Sequence, residues 1–179
     1  LAPFYHRYPL AENFDDQMQE KMANFPKENR TMLVAALKRQ YRDVATSKAT
    51  QKNIESLQDG TSFTVTTGHQ LNLFTGPLYF LYKIVSTINL AKKLNKEHPN
   101  NHVVPVYWMA TEDHDFEEIN YFNLHGKKVL WNRKASGAVG RLSTEGLEDV
   151  FDVLAAELGN LGLTEDLKTL FQKAYLEHG

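Results

Sequence analysis

Two short stretches of this sequence carry the residue types from which binding and catalytic sites are built. The first, "TGHQLNLFTGP" at residues 67–77, holds one imidazole, two side-chain amides and two glycines. The second, "TEDHDFEE" at residues 111–118, holds five carboxylates and one imidazole. Both stretches are therefore candidates for the functional site.

The first stretch has features of an anion-binding loop. Gly68 permits a sharp turn after a strand, and Gly76 lets a ligand approach the backbone closely. A helix that begins at Pro77 would present free N–H groups and the positive end of its dipole, which suit a phosphate. The pattern is neither a Walker A loop nor a dinucleotide-binding glycine motif, so a purely local role of the glycines in turns stays open. The residues predicted here to bind substrate or nucleotide are Gly68, His69, Gln70, Asn72 and Gly76.

The helix predicted after this stretch adds two more candidates. Its sequence, "LYFLYKIVSTINLA", is apolar on most faces, so we expect it to be buried. A buried lysine is destabilising unless it is paired or hydrated. Because helical side chains lean toward the N-terminus, we predict that Lys83, with Tyr79 one turn before it, reaches back toward an anion near Gly76. The alternatives are a lysine whose stem carries its charge to solvent and a structural ion pair.

The acidic second stretch offers several kinds of chemistry. Its side chains could bind a divalent cation such as Mg²⁺, orient an amine or a hydroxyl group, or act as a general base. Asp115 could instead only cap the short helix that follows, and we interpret Glu117 and Glu118 as ordinary acids of a first helical turn. We assign no metal ligand, and zinc is not favoured because spaced His or Cys ligands are missing. The predicted catalytic residues are Glu112, Asp113, His114 and Asp115.

A strand–helix–strand unit must position the two stretches. Residues 62–67, "SFTVTT", alternate in polarity and are rich in β-branched side chains, which predicts a strand. A helix is predicted from Pro77 to about Lys96, with proline at its first position. Residues 102–110, "HVVPVYWMA", form a nearly continuous apolar run, which predicts a strand covered on both faces.

The order of these elements predicts where the site lies. Two strands joined by a helix are parallel with a right-handed crossover, and ligands bind at the carboxyl ends of such strands. We therefore predict that residues 68–70 and 112–115 form loops that face one crevice. Trp108, inside the apolar strand, is predicted to belong to the core and not to the site.

The flanking segments predict further helices and one hairpin, which complete an α/β fold. The predicted fold is a parallel sheet flanked by helices, in a single domain over residues 1–179. Helices are expected at residues 10–25, around 31–41, at 49–57, 147–158 and 164–177, and a β-hairpin at residues 120–132 with its turn near Gly126.

Composition and charge exclude several classes of partner. The net charge is −2 and no run of Lys or Arg occurs, so we predict no nucleic-acid partner. No signal-peptide pattern opens the chain and the longest apolar helix is too short for a bilayer, so we predict no membrane partner. The chain has no cysteine, which leaves it without a thiol nucleophile and fits a cytoplasmic protein.

The two stretches and their surroundings resemble a known bacterial family. "TTGHQLNLFTGPLYFLYKIVSTINLA" followed by "VPVYWMATEDHDFEEIN" is closely similar to the cysteine-adding enzymes of bacillithiol biosynthesis, also called cysteine ligases. The family pattern is T-G-[HQ]-Q, then L-x-T-G-P-L-Y-x-x-x-K, then P-V-[FY]-W-x-A-x-E-D-H-D-F-x-E. Its parts match residues 67–70, 76–79, Lys83, 105–108 and 112–116.

The resemblance implies a Rossmann-like core and a ligase of the final bacillithiol step. In that step cysteine is joined through its carboxyl group to the amine of glucosaminyl malate, and making this amide requires activation, for which ATP (or ADP as its product) is the expected cofactor. The resemblance also implies that the chain is an N-terminal core fragment, inactive as a ligase by itself. The full-length protein would then be a homodimer that associates through a coiled coil.

The resemblance also implies roles for the candidate residues. Gly76 and the helix start would hold an anionic group, which His69, Gln70 and Lys83 would position or neutralise. The acidic stretch would orient the cysteine or the glucosaminyl amine. Its His114 or one of its carboxylates is the candidate base. No H-x-G-H motif of nucleotidyltransferases is present, so the form of the activated intermediate stays open. Two alternatives also stay open: a non-catalytic fragment that binds a small anion or sugar, and a structural fragment whose polar clusters only complete loops.

Overall fold

The computed structural model describes residues 4–74, 76–160 and 162–177. The chain divides into two compact units. The first consists of Leu1–Thr66 and Ser86–Val106, and the second of Thr67–Val85 and Tyr107–Gly179. The single domain predicted over residues 1–179 stays a prediction.

The elements follow the predicted order of strand, helix, strand, hairpin and C-terminal helices. In chain order they are a 3₁₀ turn (Ala11–Asn13), α1 (Phe14–Asn24), α2 (Lys27–Gln40), α3 (Lys48–Ser56), β1 (Ser62–Gln70), α4 (Leu78–Glu97), β2 (His102–Ala110), α5 (Phe116–Ile119), β3 (Tyr121–Leu124), β4 (Lys127–Leu130), a 3₁₀ turn (Val139–Arg141), α6 (Leu147–Leu158), α7 (Thr164–Phe171) and a π-helical segment (Gln172–Glu177). β1 and β2 are neighbours in a parallel sheet, which confirms the α/β class. Among the described residues, no helix combines the length and hydrophobicity that crossing a bilayer requires.

The first unit buries both faces of β2 near the start of the strand. Val103 and Val104 point to opposite faces because side chains alternate along a strand, and they are only 2% and 4% exposed. Val103 packs in a cluster with Met18 of α1 and Leu94 of α4, whereas Val104 packs in a cluster with Val34 of α2. Burial on two faces explains why the first half of this strand is apolar without alternation.

Arg30 of α2 is a buried charge in the first unit, with 6% of its surface exposed. Its guanidinium donates to the carbonyl oxygens of Leu57 at 3.2 Å, Gly60 at 3.2 Å and Ser62 at 2.9 Å. These acceptors offset the desolvation of the charge and connect α2 to the turn between α3 and β1. A structural role therefore accounts for this buried arginine.

The second unit is built around a hydrophobic cluster of the hairpin and the C-terminal helices. Leu147 and Leu154 of α6 and Phe171 of α7 are at most 1% exposed. The cluster also contains Trp131, whose indole N–H donates to the carbonyl oxygen of Glu145 at 2.9 Å. The helices predicted at residues 147–158 and 164–177 are thus packed in this unit, although the last six described residues form a π-helical segment.

The hairpin prediction is confirmed. Strands β3 and β4 are antiparallel, and Leu124 pairs with Lys127 at their closed end. The two residues between them, His125 and Gly126, have φ values of +49° and +78°. Two successive left-handed residues match the twist of a two-residue hairpin turn, and glycine adopts that conformation without steric strain.

Two burial predictions are wrong at the carboxyl end of β2 and in the first half of α4. Trp108 is 59% exposed and Met109 is 54% exposed, and neither belongs to the hydrophobic cluster of the second unit. In α4, Tyr82 is 64% exposed and Val85 is 52% exposed. An apolar run is buried only where another helix or strand packs against it. The described hydrophobic cluster of this unit forms instead around the hairpin and the C-terminal helices.

Candidate functional site

A cavity of about 740 Å³ in the second unit gathers most of the first stretch. Its wall combines the end of β1, the loop to α4, the first turn of α4, α5, β3 and the C-terminal helices. Leu158 and Leu167 contribute to an apolar side of this wall. The polar side chains of the wall belong to His69, Gln70, Asn72, Tyr79, Glu118, Tyr121 and Asn123.

Strand β1 is longer than predicted, and it brings His69 and Gln70 to the cavity as strand residues. Because β1 ends at Gln70, residues 68–70 are not a loop and Gly68 makes no turn. A Cβ at Gly68 would lie 3.3 Å from Cβ of Trp108, so glycine leaves room for the neighbouring strand. The Tyr107 hydroxyl donates to the carbonyl oxygen of His69 at 3.2 Å, and burial raises the pKa of Tyr107, which keeps this donor protonated.

His69 is the centre of a hydrogen-bond network in the cavity. One side-chain atom of Asn72 lies 3.0 Å from the carbonyl oxygen of Gln70 and 2.9 Å from Nδ1 of His69. A carbonyl oxygen only accepts, so this atom is the amide nitrogen, which also donates to Nδ1 in the tautomer that carries the ring proton on Nε2. In that tautomer Nε2 donates to the Tyr79 hydroxyl oxygen at 2.6 Å. The hydroxyl proton of Tyr79 is then directed away from His69.

The same ring has a second hydrogen-bonding state. Nδ1 of His69 also lies 3.0 Å from the carbonyl oxygen of Gln70. That contact is a hydrogen bond in the tautomer that carries the proton on Nδ1, and Nε2 then accepts from the Tyr79 hydroxyl.

Gly76 holds the loop against Asn72. Its φ is +59°, and a Cβ there would lie 2.8 Å from Cβ and 2.9 Å from Cγ of Asn72. Neither this φ nor this gap accommodates an L side chain without displacement of Asn72. The close approach that the structure shows at Gly76 is therefore to Asn72, and contact between Gly76 and a ligand stays a prediction.

Contacts from the C-terminal segment fix the position of Phe74, in the middle of the same loop. Its φ is +57°, which costs a non-glycine residue about 1–2 kcal/mol. Its N–H donates to the hydroxyl oxygen of Tyr175 at 2.8 Å, and its ring contacts those of Phe122 and Phe171. Burial raises the pKa of Tyr175, although the bond from Phe74 opposes the shift, so the hydroxyl stays neutral. Partners remote in sequence therefore stabilise this strained residue.

Lys83 reaches back toward the end of β1, in the direction that its position on a helix predicts. The side chain is half-buried, and its ammonium group donates to the carbonyl oxygen of Gly68. This bond connects α4 to β1. The contact between Lys83 and an anion stays a prediction.

Gln70 and Glu118 connect the end of β1 to α5 across the cavity wall. Nε2 of Gln70 donates to Oε2 of Glu118 at 2.7 Å. Among the described residues that line the cavity there is no Lys or Arg, and Glu118 is the one carboxylate. The cavity is thus negative when His69 is neutral, which favours a cationic group over a phosphate.

The second stretch follows β2 and contributes only Glu118 to this cavity. The first stretch contains the end of β1 and the second follows β2, the neighbouring parallel strand, but the four predicted catalytic residues do not line the cavity. Glu112, His114 and Asp115 are exposed, and Asp113 is half-buried. In the part of the chain that the structure describes, no group of three or more His, Asp or Glu side chains could hold a metal ion.

Backbone contacts fix the conformation of this second stretch. Oδ1 of Asp113 accepts the N–H of Asp115 at 2.9 Å. The carbonyl oxygen of Thr111 accepts the N–H of Gly140 at 3.0 Å. The carbonyl oxygen of Asp113 accepts the N–H of Val139 at 2.7 Å. Asp115 stands at the N-cap position of α5 but makes no side-chain capping bond, so the capping alternative is wrong.

Comparison with known proteins identifies the family. The family model described as "Bacillithiol biosynthesis BshC, N-terminal Rossmann-like domain" matches residues 1–179. The chain belongs to this family. The resemblance read from its motifs and the Rossmann-like core that it implies are both confirmed.

Curated BshC relatives match nearly the whole of this chain. Those of Flavobacterium johnsoniae and Christiangramia forsetii are each 56% identical over 178 and 182 residues, covering 99% of the chain. A relative from Cytophaga hutchinsonii is 40% identical over 187 residues and covers all of it. All three are named "Putative cysteine ligase BshC". The chain spans about a third of the length of these relatives, 34% or 35%.

Sequence reasoning missed Glu118 and the part of the wall that β3 contributes. The BshC pattern holds the signal for Glu118, because its last glutamate falls at this position, although a place in the first turn of a helix favours the interpretation as an ordinary acid. No local signal indicates Tyr121 or Asn123, which reach the cavity only because the hairpin packs beside α5.

Proposed function

We propose that the complete protein is a carbon–nitrogen ligase that joins the carboxyl group of cysteine to the amine of glucosaminyl malate. Membership of the bacillithiol biosynthesis family and the ligase name of its relatives support the reaction class. The observation that carries the proposal is the cavity itself, because its polar wall consists largely of residues from the family motifs. His69, Gln70 and Tyr79 come from the first motif run, and Glu118 ends the second.

The proposed roles follow from the hydrogen bonds. In the tautomer of His69 that carries its proton on Nε2, the ring donates to the Tyr79 hydroxyl oxygen, so the hydroxyl proton can be donated to an oxygen of the substrate. Gly68 and Gly76 serve this arrangement by letting Trp108 and Asn72 approach. Glu112, Asp113, His114 and Asp115 stay candidates for orienting the reacting groups, with His114 as a candidate base.

ATP is the proposed source of carboxyl activation in the complete protein. The described wall of this cavity does not fit a triphosphate, because it contains a carboxylate and no Lys or Arg. The ammonium of Lys83, the cation predicted for an anion, donates to the carbonyl oxygen of Gly68. We therefore assign no phosphate contact to the cavity and no role in activation to its residues.

Amide formation by the complete protein tests the proposal. Cysteine, glucosaminyl malate and ATP are supplied, and the amide product is measured by mass spectrometry. Tyr79→Phe removes the hydroxyl that His69 holds and should lower kcat/KM by about tenfold, the value of one hydrogen bond to a reacting substrate. Tyr82→Phe is the matched control, since Tyr82 is an exposed tyrosine of the same helix that does not line the cavity. Absence of product from the unmodified protein would refute the reaction.

The chain alone should form no amide in the same assay. It spans about a third of the relatives' length, and the described wall of its cavity contains no Lys or Arg to bind a nucleotide. Product formed by residues 1–179 at a rate comparable with the complete protein would contradict this expectation. Binding of a small sugar without turnover would instead match the alternative of a non-catalytic binding fragment.

A further inference from the structure

The cavity holds one negative charge whose orientation is set by a neighbouring amide. Gln70 donates Nε2–H to Oε2 of Glu118 at 2.7 Å, which restrains the carboxylate. A carboxylate offers about four acceptor positions, so this single bond leaves most of them for a ligand. The carbonyl oxygen of the Gln70 side chain is a second acceptor beside it. Acceptors arranged in this way suit an ammonium group, which has three N–H donors and accepts none.

The rest of the wall supplies partners for hydroxyl groups. Tyr79 presents a hydroxyl in contact with His69, and Asn123 presents a side-chain amide. Asn72 presents its amide oxygen, because its amide nitrogen contacts His69 and Gln70. No described residue of the wall is a Lys or Arg, so a carboxylate brought into the cavity would meet Glu118 without a neutralising side-chain cation. Cysteine carries its carboxylate on the same carbon atom as its ammonium group. In glucosaminyl malate the ammonium is flanked by a ring hydroxyl and the glycosidic oxygen, and the carboxylates are on the malate, several bonds farther away. The cavity therefore matches the amino sugar better than the amino acid.

We propose that Glu118, oriented by Gln70, binds the ammonium group of the amino-sugar substrate and so selects the amine that becomes acylated. This inference rests on the proposed function for its substrate. Glu118 acts by binding and positioning, and no bond is made or broken on it.

Steady-state kinetics of the complete protein test the role. Glu118→Gln keeps the size of the side chain and removes the charge, so KM for glucosaminyl malate should rise by about tenfold or more, while KM for cysteine stays within about twofold. Glu117→Gln is the matched control, because Glu117 is the preceding residue of α5 and is exposed, as Glu118 is, but does not line the cavity. Gln70→Met, which frees the carboxylate from its partner, should raise the same KM by a smaller factor.

Direct binding separates this inference from the proposed reaction. Glucosamine and N-acetylglucosamine have the same ring, but only glucosamine carries the ammonium charge. The unmodified complete protein should bind glucosamine at least about tenfold more tightly than N-acetylglucosamine, and Glu118→Gln should abolish the preference. Cysteine serves as the second probe, and its affinity should not respond to the substitution. Thermal unfolding of each variant confirms that it is folded.

The outcomes decide between the two proposals. A preference for glucosamine that depends on Glu118, in a protein that forms no amide, would support the ammonium site and refute the ligase function. Equal binding of the two sugars, or equal effects of Glu118→Gln and Glu117→Gln, would overturn the ammonium site even if amide is formed. A response of cysteine binding, and not of sugar binding, would also overturn the assignment to the amino sugar.

Discussion

Gly76→Ala should destabilise the second unit by more than its backbone conformation alone explains. Alanine in the left-handed region costs about 1–2 kcal/mol wherever it occurs. Gly137 is the matched control, because its φ is +84° and a Cβ there would meet no atom within 4 Å. At Gly76, by contrast, the new Cβ would lie 2.8 Å from Cβ of Asn72 and would force that residue to move.

The structure supplies the size of the difference between these variants. Moving Asn72 breaks the hydrogen bonds from its amide to Nδ1 of His69 and to the carbonyl oxygen of Gln70. A net loss of about 1 kcal/mol for each bond makes Gly76→Ala less stable than Gly137→Ala by about 2 kcal/mol. Urea unfolding of the 179-residue chain, followed by fluorescence of the buried Trp131, measures this difference.

A second measurement on the same variants reports on the site. Without the Asn72 donor, the tautomer that accepts at Nδ1 loses a hydrogen bond, so the ratio of the two His69 tautomers should change. Nitrogen-15 chemical shifts of the His69 ring should therefore change in Gly76→Ala and stay constant in Gly137→Ala. Equal free energies of unfolding for the two glycine variants would refute the close contact. An unchanged His69 spectrum in a destabilised Gly76→Ala would refute the link to the tautomer.

Three further substitutions test other contacts by the same urea unfolding measurement. Tyr175→Phe removes the acceptor of the Phe74 N–H and should lower the free energy of unfolding by about 1–3 kcal/mol, and no loss would show that this N–H finds another acceptor. Lys83→Met removes a charged donor from the carbonyl of Gly68 and should lower the free energy of unfolding by about 1.5–3 kcal/mol. An unchanged free energy of unfolding together with weaker anion binding would instead support the anion role predicted from sequence. Trp108→Ala should lower the free energy of unfolding by only about 1 kcal/mol, because Trp108 is 59% exposed. At a core position the same substitution would cost about 3–5 kcal/mol, and a loss of that size would contradict the observed exposure.

Local sequence signals determined the elements of this protein and their order. The β-branched run before Gly68, the apolar run at residues 102–110 and the turn at His125 and Gly126 each predict an element that the structure contains. Such signals are local because φ and ψ preferences and hydrophobic periodicity depend on a residue and its near neighbours. The family could also be identified from the sequence, because its motifs are continuous runs that are recognised without knowledge of the fold.

Tertiary structure decided which side chains meet and which apolar residues are covered. Gln70 and Glu118 are 48 positions apart, and Phe74 and Tyr175 are 101 apart, so no local rule pairs them. Local sequence also fails to predict the exposure of Trp108. Its apolar neighbours in the sequence predict a core position, but the side chain is exposed. Burial and hydrogen-bond partnership depend on what packs against a residue from elsewhere in the chain, and the sequence around that residue does not contain this information.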